Sequence, residues 1–134
     1  EDVSRSLKVS APEIIKQHTS VELEVFMMGF LPGFPYLGLL PEIFDLPRRV
    51  EPRVHVPPRS ISVAARQTTI YTIDSPGGWH LIGQTPVDFY DPNRENPVLV
   101  KAGDKVSFFA IDSKEYPAVR RALKADEYPL IMDC

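Results

Sequence analysis

The sequence predicts a closed or nearly closed antiparallel β-barrel, all-β apart from a short helix near each end of the chain. Short apolar or β-branched runs recur at close spacing, 14 prolines (about twice average usage) punctuate them, and the longest helical pattern, SKEYPAVRRALKA, is brief. At 134 residues the chain reads as one domain, 1–134, with room for a single core. The lack of an initiator Met reads as a fragment or trimmed chain whose N-terminal domain is absent. A doubly wound fold is disfavoured.

The elements follow in order. SAPEIIKQ (10–17) reads as a helix: Ser10 caps it, Pro12 suits its first turn, Glu13 completes a capping box, and Ile14 and Ile15 face inward. VELEVFMM (21–28) alternates Val21, Leu23 and Val25 with Glu22 and Glu24, the pattern of a half-buried strand. It runs into FMMGFLPGFPYLGLLP (26–41), an uncharged stretch that reads as a packed loop or the wall of an apolar groove. Pro32 and Pro35 exclude a membrane-spanning helix there, because each removes a backbone donor that lipid cannot replace. A signal peptide is excluded because the run is internal and EDVSRSLKV lacks a basic start with an apolar core.

ISVAARQ (61–67), TIYTID (69–74), WHLIG (79–83), PVDFY (86–90), PVLVK (97–101) and KVSFFAI (105–111) read as further strands, with SPGG (75–78) as a turn. KVSFFAI is apolar on both faces, which suits a strand between the barrel interior and a covering helix. That helix begins near Ser113, with Ser113 or Asp112 as cap, Pro117 near its first turn, and Val119 and Leu123 forming its apolar stripe.

Composition narrows function. With 43% hydrophobic and 25% charged residues and a net charge of -3, the chain gives no electrostatic reason to expect nucleic acid. The only cysteine, Cys134, precludes an internal disulfide and favours a cytoplasmic protein. No GxxxxGK[ST] loop is present, so no cofactor is expected on this chain, and ATP, if used, is held by another subunit. His18, His55, His80 and Cys134 lack metal-ligand spacing, so no metal site is expected. Ser75, Asp74 and His80 lie close in sequence, but Ser75 beside Pro76 has a simpler use as a turn residue than as a nucleophile.

Arg48, Arg49, Arg53, Arg59 and Arg66 crowd one segment. They are either solvated loop charges or an anion or carboxylate site, since guanidinium forks grip planar oxyanions. Phe30, Phe34, Tyr36, Tyr71 and Trp79 suit a core, but the first three lie among glycines and prolines, a setting for an exposed apolar depression that takes a partner or ligand.

GFLPGFPYLG (29–38), PRRVEPRVHVP (47–57), QTTIYTIDSPGGWHLIGQTP (67–86) and AGDKVSFF (102–109) resemble, in order and spacing, the family of allophanate hydrolase subunit 1 and the 5-oxoprolinase B subunit. The resemblance is narrowest to the C-terminal domain of the family's sporulation histidine kinase inhibitors. It implies a cyclophilin-like barrel and a cleft formed by Phe30, Phe34, Tyr36, Arg53, His55, Gln67, Thr68, Tyr71 and Trp79. Where many members read VPAGSVxIAGGQTGIY this chain reads VPPRSISVAARQTTIY, placing Arg59, Ala65, Arg66 and Thr69 where glycines are usual. Such replacements make positive φ costly. Arg59 and Arg66 also make the cleft more cationic and join its candidate residues.

The resulting expectation is a protein-binding module that inhibits autophosphorylation of a sensor histidine kinase through this cleft. The alternative implied by the same resemblance is the B subunit, which does not itself bind ATP, of an ATP-dependent 5-oxoprolinase, working with the A and C subunits or an equivalent antagonist. Prolyl isomerase activity would follow from fold alone, which is weak ground for chemistry. Neither a membrane nor nucleic acid is an expected partner.

Overall fold

In the computed structural model, which describes residues 9–124, the chain is mostly β with few helices. Helix α1 (Ala11–His18) forms as its caps dictate: Ser10 accepts a hydrogen bond from the Glu13 backbone N–H, and Pro12 sits in the first turn where no donor is needed. Its buried face is Ile14 and His18, one turn apart. Ile15, expected to face inward, is 48% exposed, because it follows Ile14 around the helix and leaves the stripe.

Strand β1 (Leu23–Met28) buries Leu23 and Val25 as its alternation predicts. The uncharged stretch is less loop-like than expected, since its second half forms β2 (Pro35–Gly38), antiparallel to β1. Gly38 permits this pairing at close range: a Cβ there would collide with the Phe26 ring. A 3-10 turn (Glu42–Phe44) follows, then β3 (Arg53–Val56), β4 (Ser60–Ala64), β5 (Gln67–Ile70), β6 (Ser75–Gly77), β7 (His80–Gln84) and β8 (Lys105–Val106), before helix α2 (Tyr116–Lys124).

Six strands make one sheet in the order β7-β4-β5-β2-β1-β8, and β3 pairs with β6 in a second, two-stranded sheet. β7 and β8 are therefore edges, and hydrogen bonding closes no barrel among the described residues.

Several expectations are corrected: ISVAARQ is a strand only as far as Ala64, where the Ala65-Arg66 turn interrupts it, and TIYTID only as far as Ile70. SPGG is strand β6 rather than a free turn, pairing Ser75 with Val56 and Gly77 with Arg53. PVDFY and PVLVK form no regular strand, only an isolated bridge between Tyr90 and Val98. Pro86, Pro92 and Pro97 deny that segment ladder donors, and Arg94 organises it instead, donating to the carbonyls of Asp88 (2.7 Å) and Pro97 (3.0 Å). KVSFFAI is a strand only at Lys105–Val106; Phe108 packs against the core and Phe109 is 69% exposed.

The main core joins Ile14, Leu23, Val25, Leu37, Phe44 and Ile70 with their neighbours on one side of the large sheet. His18 belongs to it, tilted against Phe108 with ring centroids 5.0 Å apart and bonded through Nε2 to Thr68 Oγ1 at 3.0 Å. Burial lowers its pKa from 6.5 to about 4, so the ring is neutral at neutral pH. A smaller cluster, Phe34, Val56 and Tyr71, packs separately. Helix α2 starts later than the sequence suggests, with Asp112 bonded to the Lys114 N–H ahead of it. It is pinned by Arg120, which pairs with Asp88 at 2.7 Å and donates to the Pro86 carbonyl. The expectations attached to Cys134 and to Ala125 at the helix end lie outside the described residues.

Candidate functional site

A cavity of about 350 Å³ opens between β1, β2, the segment after the 3-10 turn, the β4–β5 hairpin and the start of β7. Strand pleating selects its wall. Tyr36, Ala64 and Gln67 share one face of the β2-β5-β4 region, whereas Leu37, Val63 and Thr68 face the main core. Trp79 closes one side with its ring centroid 6.0 Å from that of Tyr36, and Leu46, Pro47 and Met27 add apolar surface.

The hairpin at the rim is a two-residue loop, Ala65-Arg66, between the paired residues Ala64 and Gln67. Its φ values are +49° and +61°, the doubly left-handed geometry of a tight hairpin that glycine or asparagine normally supplies. Arg59 is also left-handed, at φ +65°. Three of the four positions where glycine was expected therefore keep the backbone conformation glycine favours, despite the replacement. The turn is held from outside: Arg66 Nε donates to the Leu40 carbonyl at 2.9 Å, and its backbone N–H donates to the Phe44 carbonyl. Thr69, the fourth position, is a buried strand residue hydrogen-bonded to the Ser62 side chain.

The structure brings together only part of the expected cleft. Tyr36, Gln67 and Trp79 line the cavity. Phe34 and Tyr71 do not: each is 2% exposed, with ring centroids 5.1 Å apart edge to face, so they are core. Burial, then the nearby Tyr36, raises the Tyr71 pKa, while a backbone hydrogen bond at Trp79 works the other way. Gly77 makes this packing possible, because a Cβ there would overlap the Tyr71 ring. Thr68 is fully buried beneath His18, donating to the Ser62 carbonyl at 2.8 Å.

Phe30 is 65% exposed, at φ +69°, with its ring edge-on to Phe34. Arg53 and His55 lie on β3 away from the cavity wall, and His55 Nδ1 meets Asp74 at 3.2 Å. Asp74 is thus paired with His55 rather than His80, whose Nε2 bonds the Pro47 carbonyl at 2.8 Å, so no Ser75-centred triad forms. Arg59 turns toward α2, 3.5 Å from Asp88 and 3.4 Å from the Tyr116 hydroxyl. Arg66 serves the hairpin.

Arg48, one of the clustered arginines, is the member that lines the cavity, together with Met27, Leu46, Pro47, Ala64 and Ala65, which sequence reasoning missed. The crowding of arginines was the available signal; their directions depend on tertiary contacts. The wall holds no carboxylate, histidine, cysteine or serine; Tyr36 carries its one phenolic hydroxyl, and Arg48 and Gln67 supply its charged and amide groups. Among the described residues no cluster of metal-ligating side chains occurs and no helix is long and apolar enough to cross a membrane.

Sheet and cavity together define a β-domain with a ligand-sized pocket. Residues 1–100 match the carboxyltransferase domain, subdomain C and D, and the chain belongs to that family. This agrees with the kinship to allophanate hydrolase subunit 1 and the 5-oxoprolinase B subunit that its motifs imply. It is 47% identical over 100 residues to the 5-oxoprolinase B subunit of Escherichia coli O157:H7, covering 75% of this chain and 46% of that protein. It is 42% identical over 120 residues to the 5-oxoprolinase B subunit of Bacillus subtilis, covering 90% of this chain and 50% of that one. The solved structure of conserved uncharacterized protein PH0987 from Pyrococcus horikoshii superposes with a TM-score of 0.79 at 40% identity, covering 86% of this chain and 53% of that chain. The chain thus spans about half the length of the curated relatives it matches.

Proposed function

We propose that this chain is part of the B subunit of an ATP-dependent 5-oxoprolinase, in which the cavity orients 5-oxoproline or its phosphorylated intermediate. The identity to two proteins named as 5-oxoprolinase B subunits carries the reading, and it favours this role over kinase inhibition. The pocket's contribution is positional: Tyr36 and Trp79 wall off the ring, Gln67 offers an amide, and water is displaced from the reacting face. ATP chemistry belongs to a partner subunit, and the A and C subunits are the partners of this reading. In this reading the two sheets belong to a cyclophilin-like barrel, the chain is a single domain of a cytoplasmic protein, and prolyl isomerase activity is not expected.

The test is reconstitution with the A and C subunits. Glutamate release from 5-oxoproline and ATP should require this chain; equal turnover with and without it would refute the assignment. Docking of a sensor histidine kinase is a second reading favoured by one observation, the exposed aromatic Phe30 on a loop of fixed geometry. It requires that Phe30→Ala relieve inhibition of kinase autophosphorylation, and absence of inhibition by the parent chain across a full titration would remove it.

A further inference from the structure

Beside the aromatic Tyr36 and Trp79, each with one polar atom, the cavity is lined by two wholly polar-headed side chains, Arg48 from the segment after the 3-10 turn and Gln67 from the start of β5. Among the described residues neither the Arg48 guanidinium nor the Gln67 carboxamide has a side-chain hydrogen bond or ion pair, whereas Arg59, Arg66, Arg94 and Arg120 are each engaged. No carboxylate lines the wall to neutralise Arg48 or repel an anion. The remaining surface is aromatic and aliphatic, so a ligand with an anionic end, an amide edge and an apolar ring satisfies both polar groups. The volume, about 350 Å³, lies at the small end of ligand pockets, which run from about 300 to 1,000 Å³.

We infer that Arg48 reads the ligand's carboxylate and Gln67 its ring amide, making the cavity selective for small lactam carboxylates. A guanidinium fork donates to both oxygens of a carboxylate in one plane. A five-membered lactam holds its N–H and C=O on the same side, and a primary carboxamide offers the complementary acceptor and donor. Each group alone is a weak filter; together they exclude uncharged lactams and plain ring carboxylates, because either leaves one polar partner unmatched. The inference rests on the cavity being the substrate site of the proposed subunit.

Trp79 is the chain's only tryptophan and lines the cavity, so its fluorescence reports occupancy without a label. The full chain is titrated with L-5-oxoproline, with 2-pyrrolidinone, which lacks the carboxylate, and with cyclopentanecarboxylate, which lacks the lactam. L-5-oxoproline should bind at least about tenfold more tightly than either analogue. Arg48→Met should erase its advantage over 2-pyrrolidinone while leaving 2-pyrrolidinone binding intact, and Arg48→Lys should restore part of it. Gln67→Leu should erase the advantage over cyclopentanecarboxylate. Arg48 is exposed, so its variants should keep the parent's urea midpoint.

Unchanged L-5-oxoproline affinity in folded Arg48→Met, or no saturable response to any of the three compounds, overturns the inference. In the reconstituted enzyme Arg48→Met should raise KM for 5-oxoproline at least about tenfold. A normal KM overturns the role of Arg48 while leaving the subunit reading standing. Selective binding by a chain that fails to support turnover with the A and C subunits defeats the subunit reading alone.

Discussion

The two faces of the β2-β5-β4 region are built differently. One carries Leu37, Val63, Thr68 and Ile70 into the main core, where α1 and its neutral His18 seal it. The other is aromatic and only partly covered: Phe34 and Tyr71 close one end with Val56, while Tyr36 beside Trp79 leaves the other end open as the cavity. Period-two alternation assigns residues to faces but says nothing of whether the second face meets solvent or another layer. Here both are covered over much of their length, and the cavity occupies the place where covering stops.

The largest expected effect breaks the closed end. Phe34→Ala should cost about 3–5 kcal/mol by urea unfolding, the range for removing a fully buried aromatic ring. A loss under about 1 kcal/mol would mean that Phe34 is not core.

The opposite face should respond to acid. His18 is held neutral by burial, with its pKa lowered from 6.5 to about 4, so the unfolded chain binds the proton first as pH falls. Its contribution is complete above pH 6.5 and is lost progressively toward about pH 4, a total of roughly 3 kcal/mol at 1.36 kcal/mol per pH unit. Comparing unfolding free energies of the parent and His18→Gln across that window isolates the effect: the parent should lose stability more steeply. Parallel curves would contradict the assignment.

Gly77→Ala should cost about 1–3 kcal/mol, because the added methyl displaces the Tyr71 ring that closes the aromatic cluster. At the cavity rim the sign reverses. Ala65→Gly should stabilise by about 0.5–1 kcal/mol, since φ +49° strains any residue with a Cβ and this side chain makes no polar contact to lose. A melting temperature lowered by that change would show that the Ala65 methyl contributes more by packing than it costs in strain.

The local devices were legible in the sequence: the Ser10 cap, the Leu23 and Val25 alternation, and the presence of two strands between residues 60 and 74, although their turn falls at Ala65-Arg66, inside the span read as the first strand. Their chemistry is contained in neighbouring residues. What was not legible depended on partners distant in the chain. Pro35–Gly38 became a strand because β1 and β5 flank it, and SPGG became β6 because Arg53–Val56 lies alongside. Aromatic residues could be named but not sorted, since Phe34 and Tyr36 share a short stretch and differ only in what covers them. The arginines were likewise visible as a cluster, yet Arg59 and Arg66 are committed to α2 and the hairpin, leaving Arg48 at the cavity.

A ligand seated at the open end of the second face, and not at the closed end, would touch a distinct set of residues. Amide and indole chemical-shift mapping of the full chain with saturating L-5-oxoproline identifies that set directly. The largest shifts should fall at Arg48, Ala64, Ala65, Gln67 and the Trp79 indole, with small ones at Phe34, Val56 and Thr68. Shifts concentrated on His55 and Arg53 of β3, with the cavity residues unmoved, would contradict a ligand site at the open end.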